Sequence, residues 1–430
     1  MQNRSIPPPT STLRQPQSTA ALLPDEILDC VFSKLVDSSD RWVYDWTAQT
    51  DLELMSMVSG RWKESARRLL FRKIRIRSWK HLLEDVDGWA GQQTRYLTLS
   101  GSVAGSHEVS NAVVKVLKKM PNLQHLQLDG IPFLSFAASD SLSLRSSLLL
   151  PRLTEVMVYG RTFPHFVISD LLATSNRHIQ RLHVWSENVS PWTVGREELD
   201  FGKHLRYLFL NKMFLLDPRQ PSIALGSLEG LEEVEFYAFP DVDYSGPMQE
   251  LFDVVAPSLE RLSFDGNLTS IPDSLSSLPR LSRLSFPRHA TGNPIPLLHN
   301  LPNSLSFLHL DNDRNLQPLL LRWIADSTLV PAKLKHVRIN EIDERETLIR
   351  LPPLDKLTTS YDRAGSDLIP GLSRGDLRCK VLEMHFLSAH NYFDNHDGED
   401  SDDGYEVDEE GDMERECARL GVEFLIDDRW

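Results

Sequence analysis

The sequence predicts an α/β chain: an N-terminal unit of three short helices, followed by a solenoid of repeated units whose strands form a parallel sheet curved into a horseshoe. Three observations carry that expectation. Beyond residue 90 a six-residue phrase, apolar-x-x-apolar-x-apolar, returns at a nearly even step. The second half of each phrase alternates apolar and polar, the period of a strand, and the intervening stretch of about 20 residues leaves room for a helix or turn. Residues 22–71 instead space their apolar side chains at helical intervals.

Taken in order, residues 1–19 are rich in Pro, Ser, Thr and Gln with almost nothing to bury, so they are expected to be a disordered leader. The unit at 20–80 opens on Leu23-Pro24-Asp25-Glu26, with Pro suited to the first helical position and two acids suited to the positive end of the helix dipole. Ile27, Leu28, Val31, Phe32 and Leu35 then fall on one face of about three turns. Asp51 is placed to cap a second helix on which Met55, Val58 and Trp62 share a stripe, and a third runs through Ala66, Leu69, Leu70 and Phe71. So small a unit is marginal alone and gains from docking against a neighbour or partner.

LPDEILDCVFSKL followed by LELMSMVSGRWKESARRLLFRKI resembles the F-box: a Leu-Pro-x-Glu opening, an apolar helix ending in Leu, then Leu and Val-Ser before Arg-Trp and a final Leu-Phe. The departure is the link from Leu35 to Leu52, longer than the family's and carrying Trp42, Tyr44 and Trp46; an insertion at a loop tip is thermodynamically mild. The resemblance implies docking on the small Skp-family linker of a cullin and RING ubiquitin ligase. It implies contacts from Leu23, Pro24, Glu26, Ile27, Leu28, Val31, Leu35, Leu52, Val58, Ser59 and Trp62. Without it, the same residues read as a generic helical bundle filling its own core. The basic run from Arg61 to Lys80 is expected to be mostly a solvated helix face.

The phrase then recurs as Leu123-Leu126-Leu128, Leu153-Val156-Val158, Ile179-Leu182-Val184, Leu205-Leu208-Leu210, Leu231-Val234-Phe236, Leu259-Leu262-Phe264, Leu281-Leu284-Phe286, Leu305-Leu308-Leu310 and Leu334-Val337-Ile339. First positions step by 30, 26, 26, 26, 28, 22, 24 and 29 residues. Thr94-Leu97-Leu99 is a degenerate earlier copy, and Cys379-Leu382-Met384 a later one after an irregular stretch. One strand and one helix cannot bury an apolar face alone, so such units stack. The array at 81–390 resembles the leucine-rich repeats found attached to F-boxes. Val109–Met120, Phe166–Ala173, Met248–Val255 and Leu319–Ala325 are the expected convex helices. The family's Asn or Cys three places after the strand is met only by Asn267, which predicts irregular loops. An acidic surface loop follows at 391–413, and a helix and strand at 414–430 close the array.

Composition narrows function. Of the formal net charge of -15, thirteen acids and one Arg between Asp394 and Glu416 account for -12, so the chain has no general basic field for nucleic acid. No run reaches the length of about 18 apolar residues that a membrane helix needs. Three widely spaced cysteines, Cys30, Cys379 and Cys417, suggest neither a disulfide framework nor a zinc site, and fit a reducing compartment, cytoplasm or nucleus. HExxH, GxSxG, P-loop and GxGxxG motifs are absent; Glu399, Ser401, Asp403, Gly404 and Glu410 match a calcium loop poorly. A non-catalytic adaptor without cofactor or metal is expected, with an unspecified target protein on the concave strand face. The residues singled out there are Tyr207, Phe209, Glu233, Glu235, Arg261, Arg283, Phe307, His309 and Arg338, because the third and fifth residues of each phrase point outward. The alternative is a scaffold whose helices merely cover the first repeat's core.

Overall fold

The computed structural model of the chain describes residues 23–37, 52–76, 88–100, 115–129, 150–160, 171–172, 175, 178–186, 199–211, 224–237, 245–266, 271, 273–286, 295–310, 330–339, 354–361, 379–386, 415, 417–420 and 422–426. The expected leader, the insert with Trp42, Tyr44 and Trp46, the helix at Leu319–Ala325, Asn267 and nearly all of the acidic run lie outside them. The chain divides into two compact units, Met1–Leu153 and Thr154–Trp430.

In the first unit, α1 (Asp25–Asp37) starts where the Pro24 carbonyl accepts from the Ile27 and Leu28 amides, both at 3.1 Å. Pro24 therefore flanks the helix as its cap residue, one place outside the expected position. A short helix, α2 (52–56), and α3 (Gly60–Leu70) follow. The expected Met55, Val58 and Trp62 stripe is broken between them at Ser59. That residue is extended (φ -157, ψ 162), and its hydroxyl accepts the Trp62 amide at 3.2 Å as the N-cap of α3. Leu28, Phe32, Leu52, Ala66 and Leu69 form the core of this helical unit, with Leu23, Met55, Trp62 and Leu70 packed on it. The Trp62 ring meets Phe32 edge-on at 5.5 Å, and Arg68 reaches Asp29 across α1 and α3 at 3.3 Å.

The helix then gives way to β1 (Lys73–Ile76), which pairs in parallel with β2 (Tyr96–Ser100), and β2 with β3 (His125–Asp129). The basic run is thus not a single helix face: its residues Lys73–Ile76 are a strand. Between β1 and β2 lies α4 (Gly88–Gln93). Its Gly91 passes so close to the Lys119 carbonyl that any Cβ would collide with it.

In the second unit, β4 (Glu155–Gly160), β5 (Arg181–Ser186), β6 (Tyr207–Asn211), β7 (Glu233–Tyr237), β8 (Arg261–Asp265), β9 (Arg283–Phe286) and β10 (Phe307–Leu310) pair successively in parallel. The series continues through β11 (His336–Ile339), β12 (Leu354–Tyr361), β13 (Cys379–Phe386) and β14 (Glu423–Ile426). Every one of the nine phrases carries a strand, as do both degenerate copies. Strand order follows sequence order, the arrangement of stacked repeats. Where their side chains are described, the leading Leu or Ile of the phrases and the apolar strand positions point inward: Leu205, Leu208, Leu231, Leu259, Leu281, Leu284, Leu305 and Leu308 are all 0% exposed. Each such side chain contributes roughly 1.5–3 kcal/mol by leaving water.

Where the connections are described, their form varies with step length. The 28-residue step from Leu231 to Leu259 accommodates α5 (Ser245–Val255), which contains the expected Met248–Val255. Among the described residues, the 22-residue step that follows holds a 3-10 turn at Asp273–Ser277, and the 24-residue step after it the short α6 (Ile295–His299). Of the expected Val109–Met120 and Phe166–Ala173 helices, helical turns at 115–118 and 171–172 are described.

Serines and backbone tie each repeat to the next at the turns that precede the strands. Successive turn carbonyls each accept two consecutive amides from the next repeat: Gln180 from Arg206 and Tyr207, Arg206 from Glu232 and Glu233, Glu232 from Glu260 and Arg261. The Ser258, Ser282, Ser304 and Ser306 hydroxyls donate to the Leu231, Glu260, Leu281 and Ser282 carbonyls at 2.7–3.1 Å. Buried peptide groups at the turns are thereby paired from one repeat to the next.

Candidate functional site

Two surfaces stand out, one in each unit. In the helical unit the residues named from sequence separate by role. Leu28 and Leu52 are sealed in its core, Leu23 and Trp62 pack on that core, and Ser59 caps α3, so these five shape the unit from within. Pro24, Glu26, Ile27, Val31 and Val58 face outward, while Leu35 lies within α1. Ile27 and Val31 sit four residues apart, hence on one stripe of α1 beside the buried Leu28 and Phe32 stripe. Sequence reasoning missed Leu54 and Met57. Their signal is that Leu52 and Met55 already supply the inward positions of α2, which leaves these two for the outside.

On the second unit's strand face, register aligns the outward residues in rows. One row runs Glu155, Arg181, Tyr207, Glu233, Arg261, Arg283, Phe307 and His336, and the next runs Met157, His183, Phe209, Glu235, Ser263 and Ser285, with His309 beside Ser285 and Arg338 beside His309. Alternation continues beyond the phrase into a third row, seen as Tyr159 opposite Trp185 and as Asn211, Tyr237 and Asp265 in line.

The centre of this face is aromatic. Phe209 stacks on His183 with ring centroids 3.7 Å apart, and Tyr159 lies 5.1 Å from the same imidazole. Trp185 and Tyr237 cover Phe209 at 6.0 and 5.4 Å and meet each other at 5.7 Å. Phe209, an expected exposed anchor, is consequently only 5% exposed, and Trp185, unnoticed because it lies one step past the phrase, is the open ring. Burial pushes the His183 imidazole down to about 4, so it is neutral at ordinary pH.

Charge surrounds this cluster. Arg181 Nε donates to Glu155 at 3.1 Å while its guanidinium lies 4.3 Å from the Tyr207 ring centroid. Arg261 Nη1 donates to Glu233 at 3.4 Å. Burial first, and Glu233 second, raise the Glu235 carboxyl above the usual carboxylate range, against the Tyr207 hydroxyl that donates to it. Burial, then Glu235 and Glu233, likewise raises the Tyr207 phenol. Further along, Phe307 is held between the Arg283 guanidinium at 4.7 Å and the His336 ring at 4.7 Å, and Ser285 Oγ shares a 2.7 Å hydrogen bond with His309 Nδ1. Rigid rings framed by charged groups suit recognition of another chain.

No family model matches the sequence. No curated protein matches it either. Among solved structures, the chain is similar to the leucine-rich repeat-containing protein LegL7 from Legionella pneumophila, at 14% identity and a TM-score of 0.38, over 64% of this chain and 87% of that one. Among the described residues no helix is long and apolar enough to cross a membrane.

Proposed function

We propose that the chain is a non-catalytic adaptor, the substrate-recognition subunit of a cullin and RING ubiquitin ligase. In this reading the helical unit docks on a Skp-family linker, and through it on a cullin, while the strand face of the repeats holds a target protein. The chain makes no bond itself; it raises the effective concentration of a target lysine near the charged ubiquitin carrier, in cytoplasm or nucleus.

One observation carries the docking half. Five of the eight exposed large apolar side chains among the described residues belong to the helical unit: Ile27, Val31, Leu54, Met57 and Val58, each 47–73% exposed. Scattered exposed apolar residues need no explanation, but this concentration beside an already filled core supports a partner surface. It also disfavours the scaffold reading, because a terminal cap needs a polar outer face. The sequence likeness of LPDEILDCVFSKL to the F-box supplies the identity of the partner.

The test is co-purification of the full chain with a Skp-family linker, comparing wild type with Val31→Glu combined with Val58→Glu. Both side chains are outward, so circular dichroism should be unchanged. Recovery is expected to fall at least about tenfold, as when anchors of an apolar interface are lost. Equal recovery from a folded variant refutes the assignment.

A further inference from the structure

We infer that the face of β5, β6 and β7 is a receptor for one lysine or arginine side chain from an extended segment of the target, its stem against Trp185 and Tyr237 and its charge on Glu235. This rests on the reading of the strand face as the target surface and adds the chemistry of what it takes.

The carboxylates of this face are unequally served. Glu155 has Arg181 opposite it in register, and Glu233 has Arg261 opposite it; each pair forms an ion pair, at 3.1 and 3.4 Å. Glu235 has Phe209 on one side and Ser263 on the other. Among the described residues it forms no ion pair, and its partner is the Tyr207 hydroxyl. The cation that acts on it, Arg181, is committed to Glu155 and to the Tyr207 ring. A half-buried carboxylate with neutral neighbours on both flanking strands is a costly arrangement that an incoming cation relieves.

The rings beside it complete the receptor. Tyr237 is two residues along the same strand on the same face, and it meets Trp185, which is 37% exposed. Ring faces attract an ammonium or guanidinium, and they cover the methylene stem while its charged end reaches the carboxylate. An acidic side chain would instead meet Glu233 and Glu235, and an apolar one would bury Glu235 without a counter-charge.

Phage-displayed random twelve-residue peptides, selected on the immobilised full chain, provide the test. On wild type, Lys or Arg should be enriched about tenfold at one position, and that enrichment should vanish on Glu235→Gln and fall on Trp185→Ala. Glu235→Gln keeps the side-chain shape and an acceptor for Tyr207; if it nevertheless unfolds, the half-exposed Trp185→Ala decides alone, and cation enrichment equal to wild type overturns the proposal. Peptides with acidic or apolar anchors that bind regardless of Glu235 but require Trp185 would overturn the cation receptor while leaving the face as a target surface. Absence of any selected peptide, or selection indifferent to both variants, overturns the receptor and the surface together. The linker co-purification is untouched by any of these outcomes.

Discussion

Phe264→Ala is expected to destabilise the chain by about 3–5 kcal/mol, the range for deleting a fully buried ring whose surroundings relax only partly. Phe236, Phe264 and Phe286 fill the last apolar position of three consecutive phrases, are each 0–1% exposed, and Phe264 is the middle one, paired in register with Phe236. Removing it takes contacts from both neighbouring repeats. In a stacked array those interfaces hold each unit in place, so amide exchange should quicken first in β7, β8 and β9 rather than uniformly. Ser263 lies one residue earlier and on the opposite face, and Ser263→Ala should change stability by no more than about 0.5 kcal/mol. Urea unfolding of the two variants measures the contrast. Similar losses from both would mean that β8 does not present alternate faces to core and solvent.

The repeat was legible because its signal is redundant. Nine phrases each predicted a strand, and each strand formed, since a period-two pattern that follows a buried Leu leaves the backbone few other ways to seal it. Two strands escaped notice where polarity hid the same pattern. Phe71, Ile74 and Ile76 spell the phrase of β1, but the interleaved Arg72, Lys73 and Arg75 made it look like a continuing basic helix. Leu354 and Leu357 begin the phrase of β12, whose third apolar place holds Thr359.

The sites were legible in outline only. Outward positions on the strands follow from alternation, yet alternation says nothing about how far a ring is covered by rings on adjacent strands. That is why Phe209 proved buried and Trp185 open. In the helical unit, apolar periodicity identified residues on the helices without separating core from surface. The break at Ser59, where a side-chain cap outcompetes continuation of the helix, turned Val58 outward while Trp62 packed against Phe32.

Acid should weaken the fold through His183, and His183→Phe should remove that weakness. The imidazole is pressed between Phe209 and Tyr159, and burial lowers it from 6.5 to about 4. Between these values the unfolded chain takes up a proton that the folded chain refuses, so stability falls as pH falls; above 6.5 the contribution is intact, and below about 4 it is fully lost. Between pH 7 and pH 5 the linked loss is about 2 kcal/mol. Glu235 acts in the opposite sense, because a carboxyl raised in the folded state binds its proton earlier there and gains stability on acidification. Comparing variant with wild type cancels that contribution and the rest of the carboxylates, provided Phe keeps the ring stack. Urea unfolding at the two pH values should therefore show wild type losing about 2 kcal/mol more than His183→Phe. Equal losses would mean that the imidazole is protonated in place without cost, which requires an opening of the stack that the 3.7 Å contact with Phe209 does not provide.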